Sequence, residues 1–385
     1  MEDMATNLYQ KGWDDLDAGE LRLILLECIG KPGQYDGLPE DVNTFYLPLA
    51  RDQCQVKLTF SRTKQIVAIT PGPAFDAANW AQVVVEVERT TPRKVGRDWS
   101  FSSFRVNGSW RGRRSGVQIL PAPPTAPAAP VEMAEHPFIL EFPFVAGDNF
   151  PITTFRRRRE HRQLTLILNV LLAGRTTCPT RQPRHVWAID GQESAKWLQE
   201  SFFADFGAIV CDDLAPPSSE PLEEVEPETY YAMVGHDGKG LRIPADLDDA
   251  ICCYLALWRG QVSREKLRIA TFWMDMAARQ WTFSQSASFA SLVIAIESLG
   301  ERTSKPTDRF RDFVERYAPG SKLETRTCMY ALRSDILHGS GLMERDKDAA
   351  FGWAPPEKVE GDLLDELWSL TRTSVRNWIK SAIPA

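Results

Sequence analysis

Cys328-Met329-Tyr330-Ala331-Leu332-Arg333-Ser334-Asp335-Ile336-Leu337-His338-Gly339 is the stretch on which the reading of this chain turns. At about 100° per residue, Met329, Tyr330, Leu332, Ile336 and Leu337 gather on one side of a helix. Gly339 ends it, because glycine enters the left-handed conformation of a helix terminus without a Cβ penalty. Ser321, with Glu324 three residues later, reads as a capping box, so the predicted helix covers residues 321–338. Arg333 falls in the middle of the apolar side. An arginine there must snorkel, meet a carboxylate or face another subunit, because an unpaired buried charge is very costly.

Outward from this helix the same periodicity continues. It predicts helices over residues 246–258, 263–283, 286–299, 307–317 and 361–379. Ser263 and Thr307 are placed as N-caps, and Gly300 as the residue that closes the helix at 286–299. Short connections between them make residues 244–385 an all-α bundle. The helix at 286–299 carries a mirror anomaly: Leu292, Val293, Ile296 and Leu299 form its apolar side, and Glu297 interrupts it. Two helices of one bundle each bury one charge of opposite sign. Glu297 is therefore expected near Arg333 or His338. Two outcomes are open: an ion pair that only fixes helix register, or a site.

His338 is the last residue before Gly339. It either bonds the final carbonyls of the helix, or acts as a general acid or base at a phosphate whose oxygens Arg333 holds. Five residues along a helix turn about 140°, so Arg333 and His338 do not stack on one face. They converge if the helix frays after Leu337, or if two copies of it meet. A two-fold interface would place two Arg–His pairs around one groove.

Arg333-Ser-Asp-Ile-Leu-His338 matches the R-x4-H motif of HEPN domains. With Ser291-Leu-Val-Ile-Ala-Ile-Glu297-Ser-Leu upstream and Gly339 behind the histidine, the sequence resembles the Apea-like HEPN group in particular. That group has an aliphatic "ALE-L" helix followed by an "LR-x4-HG" helix. The resemblance covers residues 246–379. It implies a helical bundle that dimerises, and a metal-independent endoribonuclease without a cofactor. In such enzymes the His and Arg of both subunits promote attack of the ribose 2′-OH on the adjacent phosphodiester. Carried over, His338 takes or gives the proton, Arg333 neutralises the phosphate and Glu297 orients one of them. Ser334 stands where active members often carry Asn, Asp or His. It keeps hydrogen-bonding capacity, and Asp335 either supports it or faces solvent. Many members are toxins or anti-phage effectors with a separate sensing or repressing domain. A regulatory or defence-system protein partner is implied with them, as is the alternative of a non-catalytic module that binds RNA, nucleotide or a protein.

The remainder is read as β-rich, which makes the fold class α+β. Residues 1–120 are expected to form an antiparallel sandwich or barrel, with strands at 55–60, 65–70, 82–89, 99–102 and 104–106, and a hairpin turn at Asn107-Gly108. Residues 121–130, PAPPTAPAAP, are a linker or extended loop. Residues 131–211 continue as mixed α/β, with strands at 138–145 and 185–189 and helices at 155–173 and 193–206. Residues 212–243 form an acidic, proline-rich connector.

The chain has 385 residues, a formal net charge of −7 and a pI near 5.5. A general nucleic-acid coat would be basic, so contact with RNA has to come from local patches. The densest are Arg156-Arg157-Arg158-Arg159, read at a helix start where an anion would help, and Arg111, Arg113 and Arg114, with Trp110 as a stacking face. The bland reading of both patches is a solvated helix start and a charged sheet edge. The seven Cys (28, 54, 178, 211, 252, 253 and 328) form no C-x-x-C pair, and the His residues are scattered. No metal is expected, and the thiols read as reduced. Trp258, Trp273, Trp281, Trp368 and Trp378 read as packing anchors. The acidic N-terminus is no signal peptide, and the longest apolar run, 164–173, is too short to span a bilayer. The expectation is a cytoplasmic protein with no membrane contact.

Overall fold

The computed structural model describes residues 7–10, 13, 18–29, 38–39, 44–47, 54–62, 66–92, 94–122, 136–172, 176–177, 185–189, 195–199, 209–218, 220–232, 240–259, 261–281, 283–301, 305–347 and 355–382. The chain divides into two compact units, residues 1–95 with 143–160, and residues 96–142 with 161–385. Residues 96–142 group with the helical bundle because units form by contact in space, not by contiguity along the chain.

In the first unit, helix α1 (Ala18–Ile29) precedes a four-stranded antiparallel meander of β1 (Leu38–Pro39), β2 (Thr44–Leu47), β3 (Val56–Phe60) and β4 (Ile66–Pro71). Helix α2 (Ala77–Val87) follows. Leu21, Ile24 and Leu25 of α1 share a core with Val56, Leu58 and Ile69 of the sheet and Val83 of α2. The strand expected at 82–89 is therefore corrected to a helix. Val83-Val84-Val85 favours a strand locally, but Trp80, Val83, Val84 and Val87 recur at helical spacing on the core. Asp76 also caps the helix, its carboxylate accepting the Ala78 N–H at 2.8 Å.

Strands β5 (Lys94–Ser102), β6 (Trp110–Arg111), β7 (Gln118–Pro121), β8 (His136–Phe144), β9 (Thr176–Thr177) and β12 (Ile209–Cys211) form one sheet of order β12-β5-β8-β7-β6, with β9 also on β5; all of it but the first two residues of β5 and the last two of β8 falls in the second unit. Helix α3 (Phe150–Leu171) runs from the first unit's residues into the second's. Strands β10 (His185–Ile189) and β11 (Ala195–Gln199) form a hairpin, with Trp187 opposite Trp197. Here the expected helix at 193–206 is corrected: Ala195–Gln199 is a strand, and the rest of that span lies outside the described residues.

Asn107-Gly108 turns no hairpin, and residues 104–106 form no strand. Gly108 is small for another reason: a Cβ there would stand 2.7 Å from the Glu220 carbonyl oxygen, where residues 220–222 run alongside Ser109. The hairpin lies one step later, between β6 and β7. Strand β13 (Glu224–Val225) pairs in parallel with β14 (Ile243–Pro244), and helix α4 (Pro227–Ala232) lies between them, so the acidic connector is structured over those residues. Of the proline-rich stretch, residues 123–130 lie outside the described residues.

The bundle comprises α5 (Leu247–Arg259), α6 (Gln261–Gln280), α7 (Gln285–Leu299), α8 (Pro306–Tyr317), α9 (Leu323–Leu337) and α10 (Pro355–Ser381). Helix α7 is central and packs against α6, α8, α9 and α10. The α+β class thus holds, with antiparallel sheets in the N-terminal half and helices in the C-terminal part. Several expected caps do not. Ser263 lies inside α6. Lys305 precedes α8, with Pro306 in its first turn and Thr307 already helical. Lys322 occupies the N-cap of α9, and the Ser321–Glu324 box does not form. Gly300 is extended rather than left-handed, and a Cβ on it would meet Arg309 Cγ at 2.3 Å. Trp378 is buried, and Trp281 and Trp368 meet edge-on at 5.4 Å. No helix among the described residues is long and apolar enough to cross a membrane.

Candidate functional site

Helix α9 lies at the margin of the bundle. Only Arg326 and Met329 of α9 are fully buried; Tyr330, Leu332, Arg333, Ser334 and Ile336 are half-buried. Leu337, expected on the apolar side, is exposed. The helix sits close enough to α7 for its arginine to meet the carboxylate on that helix. Arg333 Nη2 donates to Glu297 Oε2 at 2.7 Å, and the two side chains are 18% and 12% exposed. The geometry is a single contact rather than a two-bond fork. Glu297 Oε1 and Arg333 Nε are both buried and without a hydrogen-bond partner among the described residues. Such a pair keeps unused capacity on both sides, which is costly in a half-dry place.

Tyr330 completes the group. It lies three residues before Arg333, on the same face of α9, and its ring centroid is 5.5 Å from the guanidinium carbon. Phe310 of α8 packs against the same ring, with centroids 6.0 Å apart and planes tilted by 44°. Burial first, and then the Glu297 carboxylate, hold the phenol above its ordinary ionisation range, against the lowering effect of Arg333 and of the Thr307 hydroxyl. Tyr330 was read from sequence only as part of an apolar side. The available signal was its spacing from Arg333.

His338 is the C-cap of α9 and is exposed, and its ring has no partner among the described residues. The backbone around it is over-determined. Gly339 takes φ +71°, and nothing would touch a Cβ there, so glycine is needed for conformation and not for space. The Ser340 N–H donates to the Asp335 carbonyl at 2.9 Å and the Gly339 N–H to the Ile336 carbonyl at 3.2 Å, the paired bonds of a Schellman turn. Asp335 is exposed, and the Ser340 hydroxyl lies 3.3 Å from its carboxylate. Ser334 contributes its carbonyl, which accepts the His338 N–H at 2.9 Å.

Beyond the turn, the Met343 N–H donates to Ser286 Oγ at 2.8 Å. Asp346 accepts from the Ser284 hydroxyl at 2.8 Å and from the Gln285 and Ser286 N–H groups at 2.9 and 2.7 Å. Burial alone would raise the Asp346 carboxyl, but these hydrogen bonds outweigh it and hold the group below its ordinary range. The segment that follows His338 is thereby fastened to the N-terminus of α7, the helix that carries Glu297.

The expected RNA-binding groups are not equivalent. Helix α3 begins at Phe150, so Arg156, Arg157, Arg158 and Arg159 sit inside it and not at its start. Arg156 is 3% exposed; its Nη1 donates to Glu86 Oε1 at 2.6 Å, and its Nε donates to Glu20. Arg157 is buried, Arg159 is bonded to Glu20, and Arg158 is exposed. The reading of this run as a phosphate-binding patch is corrected at Arg156 and Arg159, whose charge is answered by carboxylates within the fold. Trp110 is only 8% exposed and presents no stacking face. Arg111 and Arg113 are exposed, and Arg114 pairs with Asp249 at 2.6 Å. No group of three or more His, Cys, Asp or Glu side chains suited to a metal stands together among the described residues.

No family model, no curated protein and no solved structure matches this chain.

Proposed function

We propose that this chain is a metal-independent endoribonuclease of HEPN type, acting through Arg333 and His338. The observation that carries the reading is a guanidinium tethered at the bundle margin, five residues before an exposed imidazole fixed at a helix exit. In the proposed reaction His338 withdraws the proton of a ribose 2′-OH. The 2′-oxygen attacks the adjacent phosphorus as the bond to the 5′-oxygen breaks, and the 5′-oxygen takes its proton from a protonated His338 of the second copy, giving a 2′,3′-cyclic phosphate and a 5′-hydroxyl. Arg333 neutralises the non-bridging oxygens as charge develops on them. Glu297 orients Arg333, and Ser334 and Asp335 shape the helix end that presents His338.

The two side chains point about 140° apart on one helix, so the proposal includes a homodimer in which two copies of α9 form a composite groove. It also includes RNA as substrate, with Arg111, Arg113 and Arg158 as the basic groups free to reach it. A cytoplasmic toxin or anti-phage role follows from the same family resemblance, as do control by the N-terminal unit and a defence-system protein partner.

The test is expression of the wild type beside His338→Ala, with cellular RNA integrity and growth measured. RNA breakdown that depends on His338 is expected. Equal RNA patterns and equal growth would remove the nuclease reading. One observation favours a second reading, a non-catalytic module binding RNA, nucleotide or protein: Arg333 already has its carboxylate. On that reading RNA binds without being cut, and His338→Ala leaves binding intact.

A further inference from the structure

The turn between β6 and β7 closes around an anion that the chain itself supplies. It reads Arg111-Gly112-Arg113-Arg114-Ser115-Gly116. The Arg114 N–H donates to Asp248 Oδ2 at 2.8 Å, and the Ser115 N–H and hydroxyl donate to Asp248 Oδ1 at 3.0 and 2.6 Å. Two successive backbone N–H groups and a hydroxyl that converge on one carboxylate form a nest of the kind that also receives phosphate. A Cβ on Gly112 would overlap both Asp248 Oδ1 and Ser115 Oγ, so the cradle has no room for a methyl group beside its occupant. Burial by itself would raise the Asp248 carboxyl, but the Ser115 hydroxyl and the backbone N–H groups outweigh it and hold the group below its ordinary range.

The occupant belongs to the first turn of α5, and its neighbour Asp249 takes the Arg114 guanidinium at 2.6 Å. Arg111, Arg113 and Arg114 bring three positive charges to the turn, and the two aspartates cancel two of them. A neutral contact would fasten the hairpin to α5 equally well. A carboxylate seated among backbone donors, beside guanidinium groups, does something further: it stands where a phosphate would stand.

We propose that Asp248 and Asp249 are a built-in phosphate mimic, an autoinhibitory contact that a phosphodiester backbone displaces in order to engage the whole hairpin. The inference rests on the reading of Arg111 and Arg113 as RNA-binding groups. In the closed form RNA meets those two side chains, which are exposed, and nothing else of the turn. In the open form one phosphate takes the Arg114 and Ser115 donors, and a second takes the Arg114 guanidinium. Opening strands no buried charge. Asp249 is exposed and Asp248 half-buried, and both remain at the N-terminus of a helix, where negative charge is favourable.

The experiment uses the full chain and a fluorescent 2′-O-methyl oligoribonucleotide that cannot be cleaved, read by anisotropy. Asp248→Ala/Asp249→Asn removes the mimic. It is expected to bind about tenfold more tightly than the wild type, and the log–log salt dependence should steepen by about 1.4, two further phosphates at about 0.7 each. Asp212→Asn/Asp213→Asn removes the same charge from exposed positions of the same unit, and is expected to change affinity by less than about threefold with an unchanged slope. Equal gains in the two variants would overturn the mimic. Gly112→Ala added to Asp248→Ala/Asp249→Asn puts a methyl group into the cradle, and should take back about 0.7 of the slope. An undiminished slope would overturn the nest.

A second measurement needs no substitution in the clamp. In the 15N-labelled wild type, saturation with the same oligonucleotide should move the Arg114 and Ser115 amide resonances; binding that leaves both in place would overturn the displacement. Arg111→Gln/Arg113→Gln separates the two failures. If that variant binds as tightly as the wild type, the hairpin is not an RNA contact and the mimic falls with it. If it loses binding while the two aspartate variants behave alike, the mimic alone has failed.

Discussion

Replacing Glu297 by leucine removes the carboxylate that Arg333 binds and leaves the rest of α7 apolar. Fully buried pairs cost about 3–5 kcal/mol when one partner is deleted, and exposed pairs about 0–1 kcal/mol. At 12% and 18% exposure the pair lies between these limits and nearer the buried one. It already lacks a second hydrogen bond, which lowers its worth. We expect about 2 kcal/mol of local destabilisation, concentrated in α9, which otherwise buries only Arg326 and Met329 completely. A melting temperature averages over both compact units, so a probe of α9 itself is the sharper observable. Amide hydrogen exchange resolves the region: the α9 amides should exchange roughly thirtyfold faster in Glu297→Leu, at 1.36 kcal/mol per factor of ten. The double variant Glu297→Leu/Arg333→Met, which replaces the pair with apolar volume, should recover most of the protection. Unchanged exchange in the single variant, or a double variant as unprotected as the single, would refute the argument that a tethered charge holds α9 in place.

Two further outcomes follow from the same structure. The hydrogen bonds that hold the Asp346 carboxyl below its ordinary value of 3.8 contribute stability above that pH and lose it as the pH falls through the lowered folded value. The difference in thermal stability between the wild type and Asp346→Asn, followed by calorimetry, should therefore shrink below about pH 4, and a difference that grows on acidification would contradict the cap. Arg156→Met should destabilise the first unit by about 3 kcal/mol, since it leaves Glu20 and Glu86 short of a partner, and it should leave RNA affinity unchanged; the reverse pattern would return Arg156 to the RNA-binding set.

The bundle was legible because its signals are local. Apolar residues at helical spacing, and Gly339 at an exit, do not depend on distant parts of the chain. The meeting of Glu297 with Arg333 was also legible, because two misplaced charges of opposite sign in one bundle constrain each other. What failed needed information from elsewhere. Val83-Val84-Val85 favours a strand by itself, and only the core that receives Trp80, Val83 and Val87 makes it a helix. Arg156 looked free because its carboxylates lie far off in sequence, on α1 and α2. Trp110 looked available because alternation in a strand does not say which face is inside. The capping box at Ser321 failed because the helix starts at Leu323, one residue late for that geometry, so that Lys322 takes the N-cap. Tyr330 was overlooked because a residue half-buried beside a charge reads as packing until the charge is placed.

The most direct measurement is what the purified 385-residue chain does to an end-labelled single-stranded RNA in the presence of a metal chelator. The nuclease reading predicts fragments ending in 2′,3′-cyclic phosphate, produced by the wild type, lost in both His338→Ala and Arg333→Ala, and absent when the ribose at the cut site is 2′-deoxy. RNA left intact by the wild type, or cut equally well without His338, would contradict it.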